Sequence, residues 1–350
     1  MNTTLKGKLK VVYQILLMVL VTSFLVYRNL VGYGIGQLVG QIKVLNAAQP
    51  IEEVLADQAI PDSLKVKLRQ VQEIKDFAVR EIGLNGTDNY TSVVNQKGKP
   101  ILWVITAAQP YSMEDYTWTF PLLGEVGYKG FFDLDIAKRE AKILKEEGFD
   151  VGVREVTAWS TLGFFNDPIL TNFLNRSEGD LASLIIHEMT HGTMFIKDSL
   201  EFNENLANFI GDEGARRFME FKYGVDSPEL QECIKEQEDH TLYVNHILKG
   251  AERLDSLYQS FRNVTTDKEK KKKKLKIIAE IINELKDLDF NSPQRYHKNY
   301  QQDELPNNTF FLSMRRYNSK QNNFKIEFEN EYNADFKTYF KTLKQRYSSI

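Results

Sequence analysis

The sequence predicts an α+β protein that is mainly helical, with a small mixed β-sheet packed on one central helix and an apolar helix at the N-terminus. Three observations carry this. Apolar residues recur at helical spacing over most of the chain beyond Leu181. The β-branched or alternating runs are short and confined to the stretch from Ile101 to Ala158. A lysine-flanked, uncharged run opens the chain. The 350 residues, 42% hydrophobic and 27% charged, are enough to bury a sizeable core. A net charge of −3 leaves no footprint for nucleic acid. The single cysteine, Cys233, excludes an intramolecular disulfide framework and a metal site built on thiolates.

Taken in order, Lys6, Lys8 and Lys10 precede an uncharged run from Val11 to Tyr27, and Arg28 follows. With Leu30 and Val31 the segment is long enough to span a bilayer. Basic residues on its N-terminal side predict that this end stays in the cytoplasm and the remainder is exported. No small-residue cleavage pattern follows Tyr27, which favours an uncleaved anchor over a removed signal peptide. The expected organisation is a cytoplasmic basic segment at 1–10, a transmembrane signal anchor at 11–31 and one domain at 32–350. Within that domain a mixed α/β part covers about 95–225 and a helical part about 226–350.

Gly34 to Ala48 reads as a helix ended by Pro50, and Leu64 to Ile82 as a second one behind the cap Pro61-Asp62-Ser63. Ile101–Thr106, Trp118–Leu123, Val126–Phe132 and Val151–Ala158 read as strands, with an amphipathic helix from Asp133 to Glu147 stopped by Gly148. Helices follow at about Leu181–Phe195, Asn203–Tyr223, Pro228–Phe261 and Asp267–Leu288. The lysine run from Lys268 to Lys274 reads as the solvated start of the last of these. Asn291 to Pro306 is polar loop, and two final helices are expected from Asn307 onward.

The chemistry concentrates at His187-Glu188-Met189-Thr190-His191, followed by Asn203-Glu204-Asn205-Leu206-Ala207. Histidines at i and i+4 share one helix face, so both imidazoles can reach one metal ion. Glu204 on the next helix would supply a third ligand and leave a fourth position open, the pattern of a catalytic rather than a structural zinc. Glu188 is placed to take a proton from water. The expected cofactor is one Zn²⁺ per chain, and the expected reaction is hydrolysis of peptide bonds. A developing oxyanion needs a further donor, for which Tyr128, Tyr317 and His297 are candidates.

With these residues the chain resembles the predicted bacterial zinc aminopeptidases, a group related in motif to the thermolysin-like metallopeptidases. The resemblance runs from Tyr33 to about Phe221. It is carried by Tyr33-Gly34, Gly40-Gln41, Ala47-Ala48-Gln49-Pro50-Ile51, Thr119-Phe120-Pro121 and Gly127 to Phe132. Ser160 to Pro168 and His187 to Arg217 carry it further, with a fainter match at Pro306-Asn307-Asn308 and Tyr317. It implies a zincin-type active-site helix and removal of N-terminal residues from peptides; with the N-terminal apolar run, the expectation is a single-pass protein of the bacterial inner membrane with its catalytic domain outside the cytoplasm. Two departures stand out. The gap from His191 to Glu204 is short, which demands a tight loop. Asn208 stands where thermolysin-like enzymes carry an Asp that orients a zinc-bound histidine, so that partner is left unassigned.

In zincins a strand upstream of the metal helix pairs with the substrate backbone, which by chain order is Val151 to Phe165. Gly163 would let a backbone approach closely, and Asn166 and Asp167 could receive a free α-amine. An Asx turn ahead of Pro168 explains the same residues structurally. A zinc endopeptidase shares this site. A membrane-tethered scaffold with little turnover is the third alternative, disfavoured because Glu188 is present beside all three ligands.

Overall fold

The computed structural model describes residues 13, 14, 18, 28–120, 124–156, 166–197, 199–261, 265–297, 301 and 304–347. The chain divides into two units, Met1–Ala47 and Ala48–Ile350. The first contains helix α1 (Arg28–Ala47). The anchor expected at 11–31 lies mostly outside the described residues. Among those described, no helix is long and apolar enough to cross a membrane.

In the second unit, α2 (Ile51–Ala56) leads to α3 (Asp62–Phe77), which buries Leu68, Val71 and Ile74 and continues as a π-helical turn over Ala78–Ile82. Gly83, at φ 84°, closes it, and the Leu84 amide reaches back to the Ala78 carbonyl at 3.1 Å. That left-handed stop is the natural place for a glycine.

Among the described residues, three small sheets stand where one mixed sheet was expected. The mixed one consists of β1 (Gln49–Pro50), β2 (Ser92–Val94) and β8 (Ile169–Leu170), with β1 antiparallel and β8 parallel to β2. The second sheet is antiparallel, with β3 (Trp103–Ala108) between β6 (Lys129–Phe131) and β7 (Asp150–Glu155). β4 (Trp118–Phe120) and β5 (Gly124–Val126) form a hairpin. The run expected as one strand from Val126 to Phe132 is therefore broken at Gly127-Tyr128, and its halves serve different sheets. The antiparallel sheet packs against α4 (Leu134–Glu146) and α9 (Asn308–Asn318). The helix bearing the histidines, α5 (Glu178–Thr193), packs instead on α6 (Leu200–Tyr223), α3 and α7 (Pro228–Gln259).

α7 and α8 (Asp267–Glu284) build a second apolar centre with α9, through Ile247, Leu254, Ile278, Ile281 and Phe311. α8 opens with a capping box between Thr266 and Glu269. Its lysine run is not uniformly solvated: Lys274 is 5% exposed, donates to the Pro110 carbonyl at 2.9 Å and pairs with Asp150 at the head of β7. The Asn308 amide also donates to Asp150, at 2.9 Å, and its buried carboxamide donates to the Gln109 carbonyl at 2.8 Å. Asn307-Asn308 thus knots α9 to the sheet. Among the described residues three helices, not two, follow Asn307: α9, α10 (Gln321–Tyr332) and α11 (Phe336–Tyr347). The break between α10 and α11 falls at Asn333 and Ala334, both at positive φ.

Candidate metal centre

Helix α5 begins at Ser177, whose hydroxyl caps the Asp180 amide at 3.2 Å, with Glu178 and Asp180 favourably placed in the first turn. Leu181, Ala182, Ile185, Ile186 and Met189 are buried, so the helix is held by one apolar side. Its end is fixed by Thr193, whose hydroxyl accepts the Asn85 amide at 2.9 Å.

α6 runs back along α5 as a ladder whose rungs advance four residues at a time. Ser183 donates to Asp212 at 2.7 Å. Burial works against the charged imidazole of His187, but Glu204, Glu188 and Asn208 outweigh it and raise its pKa. Nε2 of His191 lies 3.7 Å from Oε2 of Glu204. Close approach is made possible by two glycines. A Cβ on Gly211 would sit 2.7 Å from the Ser183 carbonyl and 3.3 Å from Cβ of His187, and one on Gly214 would meet Ile82 and Ile186 at 2.8 and 3.0 Å. The tight turn between the helices is secured by Asn203, 2% exposed, whose side chain accepts from the Ile196 amide at 2.9 Å and donates to the Ile196 carbonyl at 2.7 Å.

The ladder brings His187, His191 and Glu204 together, with ligand atoms all within 4.8 Å of one another. Nε2 of His187 is 3.1 Å from Nε2 of His191 and 3.5 Å from Oε2 of Glu204. Tetrahedral zinc with N and O ligands at roughly 2.0–2.1 Å requires ligand atoms about 3.3 Å apart. The three separations therefore fit such an ion to within a few tenths of an ångström, and the donor set is the right chemistry for it. Burial pushes the Glu204 carboxyl up, but the attraction of His187 and His191, 3.5 and 3.7 Å away, outweighs this and brings it down to about 2. The third ligand is thus ready as a carboxylate. Nδ1 of His191 is buried with no hydrogen-bond partner among the described residues.

Glu188 is half-buried beside these ligands. Tyr90 is 3% exposed, and burial, followed by the negative charges of Glu188 and Asp167, raises its hydroxyl well above the usual tyrosine value. Its backbone is left-handed at φ 62°, which is uncommon for an aromatic residue. That conformation is held by its amide on the Asp167 carbonyl at 2.7 Å and by Gln72 on its own carbonyl at 2.9 Å. Nothing in the local sequence singles Tyr90 out.

Both tyrosine candidates feel the charge of the metal ligand Glu204. Burial and the charge of Glu204 raise the hydroxyls of Tyr128 and Tyr317, the latter to about 12, against the opposing charges of Arg154 and Arg316. Both stay protonated and able to donate near neutral pH. Arg316 is itself held by Asp115 at 2.8 Å, and a Cβ on Gly127 would press on its guanidinium at 3.2 Å. His297 is elsewhere: its Nε2 lies 3.1 Å from the Leu285 carbonyl, and its ring packs on Phe290. Of the expected amine subsite, Gly163 lies outside the described residues and Asn166 is exposed. Asp167 is 1% exposed, and its amide donates to the Asn89 side chain at 2.9 Å. The expected substrate strand is described only as β7, Asp150–Glu155; 157–165 lie outside the described residues.

A family profile described as "Putative aminopeptidase" matches residues 32–348, so the chain belongs to that family. No curated protein and no solved structure matches it.

Proposed function

We propose that this protein is a zinc-dependent aminopeptidase, held in the bacterial inner membrane by residues 11–31 with its catalytic unit outside the cytoplasm. The convergence of His187, His191 and Glu204 beside Glu188, in a chain of this family, carries the reading. A zinc ion bound there supplies Lewis acidity, activating water and polarising the scissile carbonyl. Glu188 takes the proton of the attacking water and delivers it to the leaving amine. Tyr128 or Tyr317 donates its hydroxyl proton to the developing oxyanion. The α-amine subsite at Gly163, Asn166 and Asp167 rests on sequence position.

Two measurements test this on the purified chain. Free-amine aminoacyl substrates should be cleaved and their N-acetylated counterparts much more slowly; equal internal cleavage of acetylated peptides would replace the aminopeptidase by an endopeptidase. Glu188→Gln should keep its zinc and lose turnover by about 10²–10⁴-fold. A zinc-loaded Glu188→Gln variant with parental turnover would refute the base assignment, and a parent chain that cleaves neither kind of substrate would favour the scaffold alternative.

A further inference from the structure

Phe195 touches the metal centre without belonging to the core. It follows His191 by four positions and His187 by eight, so the line of side chains that carries both histidines leads on to it. α5 ends at Thr193, yet the contact is made: the Phe195 ring stands edge-on to the imidazole of His191, with centroids 6.2 Å apart and planes at 72°. Away from that contact the ring is uncovered, and the residue is 49% exposed. Phe202, at the start of α6, shows the ordinary alternative: its ring packs on Phe324 and Tyr347, with centroids at 5.3 and 4.9 Å. Nor does the turn depend on Phe195. On one side Met194 is buried and its amide donates to the Thr190 carbonyl at 2.8 Å. On the other, Asn203 holds both the amide and the carbonyl of Ile196. The backbone is thus fixed on both sides, and an apolar ring is presented beside a metal ligand.

A single exposed phenylalanine is ordinary on a protein surface, so its position carries the argument. A peptide whose scissile carbonyl lies at His187, His191 and Glu204 places the side chains flanking that bond beside these ligands. An apolar one there would cover the open part of Phe195. We propose that Phe195 is a specificity-determining residue, which selects an apolar side chain on one of the two residues joined by the scissile bond. As a contact for peptides it rests on the peptidase reading above. Covering Phe195 takes apolar surface of both partners out of water, which favours leucine or phenylalanine over alanine. A glutamate in the same place would lose hydration against the ring and find no partner in it.

The test uses the full zinc-loaded chain, its Phe195→Ala variant and the conservative Phe195→Leu. Two series of free-amine dipeptides vary either the first or the second residue among alanine, leucine, phenylalanine and glutamate, the other residue being alanine. In one series the parent should favour leucine over alanine in kcat/KM by about tenfold or more, which is what added methylenes are worth in an apolar subsite. Phe195→Ala should bring that ratio down about tenfold, and Phe195→Leu should keep most of it. A loss shared equally by every substrate, with the ratios of both series unchanged, would mean a merely structural role and would overturn the proposal. A second readout needs no turnover. Leucine and glycine hydroxamates both bind zinc through their oxygens and differ in the side chain. Calorimetry on the parent should show tighter binding of the leucine compound, and Phe195→Ala should reduce that preference about tenfold. If the parent hydrolyses no dipeptide, the peptidase reading falls, and the hydroxamates alone decide whether Phe195 forms an apolar contact at the metal. If it hydrolyses dipeptides but no ratio depends on Phe195, the peptidase reading stands and this inference falls.

Discussion

Two antiparallel helix pairs in this molecule use the same packing device for different ends. α5 and α6 close on Gly211 and Gly214; α7 and α8 close on Gly250, where a Cβ would meet Cγ2 of Ile281 at 2.7 Å. Between α7 and α8 the space freed by the glycine is filled by Ile247, Leu254, Ile278 and Ile281, and the polar contacts of Arg253 with Glu280 and Glu284 stay at the rim. Between α5 and α6 it is filled by polar groups, Ser183 with Asp212 and His187 and His191 with Glu204. Burying polar groups is costly unless each finds a partner, so the α5–α6 seam gives up stability that the apolar seam gains. The difference teaches that close helix approach is neutral with respect to function. What lines the seam decides whether it stores stability or builds a site.

The sharpest way to break the comparison is to remove one histidine from each seam. His191→Ala or Glu204→Ala should abolish stoichiometric zinc in metal analysis. His246→Ala on α7, where Nε2 only meets the Ile281 carbonyl at 2.7 Å, should leave it unchanged. Full zinc in His191→Ala would dissolve the distinction.

The next effect lies on the stability side. Lys274→Ala removes one partner of the buried pair with Asp150 and should cost about 3 kcal/mol in urea unfolding, whereas Lys272→Ala, on the exposed side of α8, should cost close to nothing. Equal midpoints would mean that Lys274 is as solvated as its neighbours.

The smallest and most discriminating test compares Gly211→Ala with Gly250→Ala. Each overpacks its seam and should destabilise by about 1–3 kcal/mol. Only Gly211→Ala should also weaken zinc binding, because the carbon it adds crowds His187 and the Ser183 carbonyl. A loss of zinc affinity in Gly250→Ala as large as in Gly211→Ala would mean that the site responds to global stability rather than to its own seam.

The metal motif was legible because helix periodicity alone puts residues i and i+4 on one face, and because few residue types make good zinc ligands. The helices α3 to α8 were legible for a related reason: their apolar spacing, caps and terminal glycines are local signals that hold in any packing. The role of Asn203 in tightening the turn before Glu204 was foreshadowed only as a need for a short loop.

What lay beyond the sequence has a common cause. The strand run at Val126–Phe132 was split because strand membership depends on which partner edge is present, which is a long-range fact. The sheet was expected on α5 and lies between α4 and α9, since apolar strands do not record which helix will cover them. The break after α9 carries no glycine or proline; Asn205, from another helix, accepts the Lys320 amide and so helps to fix it. Tyr90 takes up a left-handed backbone that the Asp167 carbonyl secures from a distant part of the chain. The sequence by itself determined which residues can hold a metal and which segments are helical, because both follow from spacing along the chain. Only the tertiary structure decided that Glu204 comes within 3.7 Å of both histidines and that Tyr128 and Tyr317 feel its charge, because those neighbours are set by packing between elements, where no local rule applies.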